Sequence, residues 1–313
     1  MKQERQQKVK KKTGKFKKNE LQAYSMALIP VLLVFVFNYL PIVGILIAFK
    51  DYKFGRGIWG SEWVGFDNFV FFFKSSDFTR TTWNTLYMNF IFIVVGMISA
   101  ITVALLLYHL RSRNATKIYQ TVMITPNFIS WVVAAYMVYA FLNPRYGMVN
   151  AVLEKFGQSA VDWYAKPDAW PFILTVAYIW KQVGMDSVLY YASLMGIDST
   201  YFEAARVDGA NGFQVVKNIM LPMLVPLICI LTIMKVGGIF NADFGLFYQL
   251  TRDSGLLYKT TDVIDTYIFR AMRGVGNMGM STAVGLVQSV VGLILVLVTN
   301  HIVKKINADN ALL

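Results

Sequence analysis

Long stretches without a charged residue alternate with short polar or mixed-charge segments along almost the whole chain. Residues 21–49, 81–110 and 274–303 contain no Asp, Glu, Lys or Arg. Each exceeds the roughly 20 apolar residues that a helix needs to cross a hydrocarbon core at 1.5 Å per residue. Residues 118–144 form another such run, with Pro126 inside it. Residues 169–197 continue the series but are interrupted near the middle by Lys181 and Asp186. The last of the six to place begins at Asn218 and carries Pro222, Pro226, Lys235 and the polar Asn241 and Asp243, which makes it the least regular. The pattern predicts an all-α integral membrane protein with six transmembrane helices. Prolines inside such helices are tolerable where neighbours satisfy the freed carbonyls.

The segments between the runs set the orientation. Residues 50–80 are mixed in charge and rich in aromatics, including Trp59, Trp63, Phe66 and Phe69, as expected of an amphipathic stretch at the membrane interface. Residues 145–168 form a polar loop long enough to hold a small helix, and residues 251–273 a further mixed-charge loop. These three loops are nearly balanced in charge. Clustered bases occur instead in the N-terminal tail, in the turn holding Arg111, Arg113 and Lys117, and at Lys304 and Lys305. Because positive loops stay inside, both termini are expected to be cytoplasmic, and so is the loop between helices four and five. The expected organisation is a basic cytoplasmic tail over residues 1–20, a six-span membrane domain over 21–305 with a polar cytoplasmic loop at 198–218, and a short C-terminal tail at 306–313.

Composition supports the membrane reading and narrows the chemistry. The 313 residues are 56% hydrophobic and 15% charged, with a mean hydropathy of +0.48, too apolar for a soluble domain of this length. The net charge of +12 does not point to nucleic acid, because nine of the thirty Lys and Arg residues lie in the first eighteen positions. A signal peptide also starts with positive charge, but its apolar core is much shorter than residues 21–49, so this segment reads as a retained helix. A single cysteine, Cys229, excludes an internal disulfide framework and a Cys-based metal site, and His109 and His301 are too few and too distant for a zinc cluster. No phosphate-cradling Gly-x-x-x-x-Gly-Lys-Ser/Thr loop, His-Glu-x-x-His or Gly-x-Ser-x-Gly occurs. No catalytic residue and no cofactor are therefore expected in this chain; if it serves active transport, the energy has to come from a separate subunit or an ion gradient.

One polar island, residues 198–222, separates the fourth and fifth runs. Thr200 and Glu203 have capping-box spacing, so Glu203 is a candidate to reach back to a free N–H at the start of a helix. Ala204 and Ala205 allow another surface to approach closely, and Gly209 lets the chain turn between two helical pieces. Leu221 and Pro222 re-enter the membrane, where a proline at a helix start costs little. Glu203, Ala204 and Ala205, then Gly209, Ile219, Leu221 and Pro222 fill every fixed position of a longer pattern. With it the island resembles the EAA loop of ATP-binding-cassette importer permeases. Matches at 64–69, at Asn84 and Thr85, at 143–150, at 261–267 and at 283–286 follow in the order seen in sugar-importer permeases, particularly those for oligosaccharides and polysaccharide fragments.

The resemblance implies a bacterial cytoplasmic-membrane location, transport by alternating access and a set of partners. These are a second related permease forming a heterodimer, a dimer of cytoplasmic ATPase subunits that binds ATP and Mg, and an extracytoplasmic solute-binding protein. The ATPase-coupling residues it implies are Glu203, Ala204, Ala205, Asp208, Gly209 and Ala210. Capping and docking by Glu203 are compatible.

Charges at membrane depth are expensive unless paired or facing a cavity. Lys181 and Asp186 lie five apart, so an interhelical partner is expected for each. Two readings stand: they set the packing, or they line a path in which Tyr178 and Trp180 face sugar rings while Lys181, Asn241 and Asp243 bond hydroxyls or a carboxylate. An ion-coupled secondary transporter using Asp186 or Asp243, and a membrane-embedded sugar transferase, are the alternative function classes.

Overall fold

The computed structural model describes residues 18–306. The expected tails at 1–20 and 306–313 thus fall almost entirely outside the described residues. The described chain is helical apart from one two-residue antiparallel pairing, β1 (Lys50–Asp51) with β2 (Glu62–Trp63). Helix α1 starts as Lys18–Val34 and continues through a π turn, Phe35–Tyr39, and a 3-10 stretch, Leu40–Phe49. The expected interfacial segment then folds as the β pairing and α2 (Asp67–Phe73). Asn68 Nδ2 ties α2 back to the end of α1 by donating to the carbonyls of Ala48 (2.9 Å) and Lys50 (3.0 Å). Phe49 stacks on Trp63 at 5.6 Å.

Two long helices form the spine. Helix α3 (Phe78–Tyr108) buries Thr81, Asn84, Thr85, Met88, Phe92, Gly96, Ala100, Ala104 and Leu107, a stripe with the 3–4 residue spacing of one helix face. Helix α7 (Trp170–Met195) answers with Trp170, Leu174, Ala177, Lys181, Gly184, Ser187, Tyr190 and Leu194. Met88 and Phe92 share one apolar core with Trp170, Leu174 and Ala177, whereas Ala100 and Ala104 share a second with Tyr190 and Leu194. The two helices therefore run parallel, as the second and fourth spans of an alternating series must. Small residues on α3 make room for rings on α7: a Cβ on Gly96 would lie 3.2 Å from the Tyr178 ring.

Helices α4 (Arg113–Ile124) and α5 (Trp131–Leu142) occupy the expected third run, and here the structure departs from a straight span. They meet at 98°. Pro126 sits in a 3-10 turn, Thr125–Phe128, after which Ile129 is extended and Ser130 caps α5 by accepting from Val133 N at 3.3 Å. A proline in an α-helix interior removes a ladder bond and clashes with the preceding turn, so the chain ends one helix and begins another. Helix α7 passes against this break. Gly184 permits the contact, because a Cβ there would come 1.9 Å from the Met123 carbonyl oxygen.

The loop at 145–168 contains the expected small helix, α6 (Met148–Lys155), pinned by the buried Asn150. Its Nδ2 donates to the carbonyls of Pro144 (3.1 Å) and Val161 (2.9 Å), and its Oδ1 accepts from Trp163 Nε1 (3.0 Å). After α7 come α8 (Ser199–Val207) and a continuous helix α9 (Gly212–Gly237). Pro222 is thus not at a helix start as expected. It follows a π turn, Val216–Met220, whose wider ladder accommodates it. Helix α9 ends at Gly237, which leaves Asn241 and Asp243 outside the expected fifth run, in the connection to α10 (Phe244–Leu250). Helix α11 (Ile264–Val275) and helix α12 (Met278–Ile306) complete the chain, joined through Gly276 at φ 69°.

Among the described residues four helical segments are long and apolar enough to cross a membrane: Tyr24–Phe49, Phe78–Tyr108, Gly212–Gly237 and Met278–Lys305. The bent α4–α5 pair makes five if it counts as one span. The remaining run of the sequence pattern, the fourth, is α7, which is 26 residues long but carries Lys181 and Asp186.

Candidate functional site

The polar island forms two short helical pieces joined by a tight turn. Asp198 caps α8: its Oδ1 accepts from the Thr200 N–H (2.9 Å) and from the Thr200 hydroxyl (2.7 Å). These bonds hold the Asp198 carboxyl below the usual carboxylate range. Glu203 is exposed and makes no cap, which corrects the capping expectation for it. Asp198 reaches the same free N–H groups from closer in sequence. Gly209 adopts φ 73°, the left-handed turn that glycine takes without strain. A true capping box follows, with Asn211 accepting from Gln214 N (2.9 Å) and Gln214 Oε1 accepting from Asn211 N (2.8 Å).

The two faces of α8 differ sharply. Ala205 is buried and Phe202 half-buried, with the Phe202 ring 5.7 Å from that of Tyr108 at the end of α3. Phe202 packs against the core shared by Ala100, Ala104, Tyr190 and Leu194. Glu203, Ala204, Asp208 and Gly209 are exposed, and Ala210 is half-buried. Val207 is 87% and Phe213 75% exposed, so the outer face offers apolar as well as acidic groups. This arrangement anchors the elbow to the ends of α3 and α7 while presenting the other side outward.

The residues expected to line a path fall into two groups. Lys181 is 7% exposed, and its ammonium donates to the carbonyls of Pro126 (3.4 Å), Asn127 (2.8 Å) and Ile129. It thereby supplies a donor to the Asn127 and Ile129 carbonyls at the break between α4 and α5, and a second one to the Pro126 carbonyl, which already accepts from Ile129 N. It also lies 5.2 Å from the centre of the Trp131 ring, and Trp131 Nε1 donates to Asp243 Oδ2 at 2.7 Å. The other oxygen of Asp243 caps α10 by accepting from Leu246 N at 3.1 Å. Lys181 and Asp243 are thus brought to opposite sides of one tryptophan, with their polar atoms engaged in holding α4, α5, α7 and α10 together. Tyr178 stacks on Phe92 at 4.3 Å and 7°. Trp180, 38% exposed, lines an apolar cavity of about 640 Å³ with Phe141, Phe172 and Ile173. Asn241 is exposed, and its carbonyl accepts from Asn89 Nδ2 at 3.2 Å. The interhelical partner expected for Asp186 is Lys235 of α9, at 2.6 Å.

A second charged centre was not singled out from the sequence. The side chain of Asp262 has no exposed surface and receives Arg80 (2.8 Å), Arg270 and the Thr266 hydroxyl (3.1 Å). Arg270 continues to Asp253 (2.9 Å) and lies over the Tyr258 ring at 4.2 Å. Thr266 and Arg270, four apart on one face of α11, meet Asp262 just before the helix begins. Close by, burial pushes the Tyr164 hydroxyl up to about 12, so it serves as a neutral donor to the Leu250 carbonyl (3.2 Å). Among the described residues no group of three or more His, Cys, Asp or Glu side chains is placed to hold a metal ion.

A helical membrane chain with an exposed elbow packed on the ends of its main helices has the form of a subunit that another protein can move. Residues 92–308 match the family of binding-protein-dependent transport system inner membrane components, and the chain belongs to that family. It is accordingly a multi-pass membrane permease of an ATP-binding-cassette importer, with ATP hydrolysis carried by a separate subunit. It is 35% identical to Protein LplB of Bacillus subtilis (strain 168), over 91% of this chain and 89% of that one. It is 31% identical to the polygalacturonan/rhamnogalacturonan transport system permease protein YteP of the same organism, over 91% and 88%. The fold matches a crystal structure of a bacterial ABC transporter involved in the import of the acidic polysaccharide alginate, with a TM-score of 0.83 and 34% identity, covering 93% of this chain and 97% of that one. A related structure shows such a transporter in complex with an alginate pentasaccharide-bound periplasmic protein. Family membership removes the sugar-transferase and ion-coupled alternatives.

Proposed function

We propose that the chain is one half of a heterodimeric importer for oligosaccharides or polysaccharide fragments. Its helices form six spans with both termini cytoplasmic, counting α7 and the bent α4–α5 pair as spans, and residues 21–305 form the permease domain between two short tails. A second related permease completes the pathway, a solute-binding protein delivers substrate from outside, and a dimer of cytoplasmic ATPases binds ATP and Mg. The parallel course of α3 and α7 supports this topology.

The observation that carries the reading is the two-faced elbow at 198–218. Phe202 fixes it to the ends of α3 and α7, while Glu203, Ala204, Asp208 and Gly209 face outward for an ATPase cleft. Closure of the ATPase dimer on ATP pushes this elbow, and the push passes into the two parallel helices, switching the cavity between inward- and outward-facing. The substrate class draws on the relatives, one a polygalacturonan/rhamnogalacturonan permease and one from an alginate importer. Of the expected pathway residues, Trp180 and Asn241 keep exposed side chains. Tyr178, Lys181 and Asp243 act behind them as supports.

The test replaces Glu203 by Lys in the assembled complex and measures substrate-stimulated ATP hydrolysis and uptake. Both are expected to fall severalfold with thermal stability unchanged. Unaltered coupling would remove Glu203 from the docking surface.

A further inference from the structure

A pocket of about 360 Å³ lies between α5, α10 and the turn that follows α10, lined by Tyr136, Tyr139, Tyr248, Gln249, Arg252 and Asp253. It is separate from the apolar cavity at Trp180 and from the knot of Lys181, Trp131 and Asp243. Ala135 on its wall belongs to the core shared with Met88 and Trp170, which places it at the end of the α3–α7 pair opposite α8.

Three observations define its chemistry. Tyr136 and Tyr139 lie three residues apart on α5 and so share a face. Tyr136 is 73% exposed, and Tyr248 adds a third ring from α10. Such rings suit the C–H faces of sugars, whose rims bond amides such as Gln249. The charge is also unbalanced. Asp253 is engaged by Arg270 (2.9 Å) and by the Tyr258 hydroxyl (3.1 Å), whereas Arg252, also exposed, makes no ion pair among the described residues. Its guanidinium is held 4.4 Å from the centre of the Tyr139 ring, which leaves its edge open for a planar anion. Finally, Arg252 and Asp253 both adopt left-handed backbone angles, φ 56° and 48°. Two consecutive non-glycine residues there are strained, and the turn directs Arg252 into the pocket while Asp253 points to Arg270.

We infer that this pocket is a binding subsite for a uronate residue of an acidic oligosaccharide, with Arg252 pairing the carboxylate and Tyr136 and Tyr139 packing the ring. The inference rests on the importer reading above, in which this end of the molecule faces outside, and adds to it a preference for acidic over neutral sugar. The volume lies at the lower end of the roughly 300–1,000 Å³ of small-molecule sites, so the subsite holds part of a chain as it enters.

The experiment titrates the assembled importer, without binding protein, in nanodiscs of phosphatidylcholine, a lipid with no net charge. Trigalacturonate and the neutral maltotriose are the probes, and binding is followed by calorimetry. Trigalacturonate is expected to bind more tightly than maltotriose. Arg252→Gln should weaken trigalacturonate about tenfold, the scale of one lost charge-assisted pair, with little effect on maltotriose. Arg252→Lys, which keeps the charge but not the fork, should recover part of the loss, and Tyr136→Ala should weaken both sugars. Absence of trigalacturonate binding by the unmodified importer, or equal binding by the Arg252→Gln form, would overturn the inference. ATP-driven uptake into proteoliposomes is scored separately, so a failure of the import reading leaves its own trace: no uptake with binding intact.

Discussion

Asp186 Oδ2 and Lys235 Nζ stand 2.6 Å apart and join α7 to α9, the two helices that enter and leave the loop at 198–218. Their side chains are 26% and 31% exposed, so the pair lies between the weak surface case and the costly buried one. Asp186→Ala or Lys235→Ala, which leaves one charge alone, is expected to destabilise the subunit by about 1–3 kcal/mol. The double change Asp186→Leu with Lys235→Met should recover most of that, because no lone charge remains. Thermal unfolding of the purified complex measures all three.

Lys181→Met removes the donor shared by Pro126, Asn127 and Ile129. The expected loss is roughly 2–3 kcal/mol, the range for hydrogen bonds to a charged group. Since the ammonium is already engaged, KM for oligosaccharide uptake should stay unchanged in the folded fraction. A change in KM confined to acidic substrates would return Lys181 to the pathway.

Arg270→Met strips Asp253 and the fully buried Asp262 of a shared partner. Breaking a buried pair by removing one member costs roughly 3–5 kcal/mol, so this variant should unfold well below the unmodified protein. Asp262→Asn, which leaves Arg80 and Arg270 against a neutral acceptor, should fall between the two. Differential scanning of the three forms in detergent tests the order.

The Asp198 carboxyl is held below its ordinary range by the Thr200 N–H and hydroxyl. A folded value lower than the unfolded one gives stabilisation that is present above the unfolded value, about 3.9 for Asp. It is lost as pH falls through the folded value. The cap on α8 should thus be intact at pH 5 and above and fail only in stronger acid, and Asp198→Ala should remove it at every pH. Carboxyl carbon-13 titration of Asp198 checks the sign: a midpoint at or above 3.9 contradicts it.

Much of the helical layout was legible because charges mark the ends of apolar runs. Where it was not, a proline decided. Pro126 divided one run into two helices at 98°, whereas Pro222 was absorbed by the π turn before it; which outcome occurs depends on neighbours that hydropathy does not contain. The turn at Gly209 followed from local sequence, whereas the cap of α8 came from Asp198 rather than from the Thr200–Glu203 spacing. Lys181 was harder to read. Its partners lie more than fifty positions earlier, and a lysine at membrane depth looks alike in sequence whether it mends a broken helix or waits for a ligand. The same distance hid Arg80, which meets Asp262 across 182 positions.

The loop at 198–218 carries its own caps, Asp198 at one helix and the Asn211–Gln214 pair at the other, with Gly209 between them. Each of these bonds is made between residues of the loop itself. Under the docking proposed above, the elbow is a finished key before any ATPase arrives, and seating it need not order a floppy segment. A nucleotide-driven movement delivered to such a part is spent on displacing helices rather than on folding the handle.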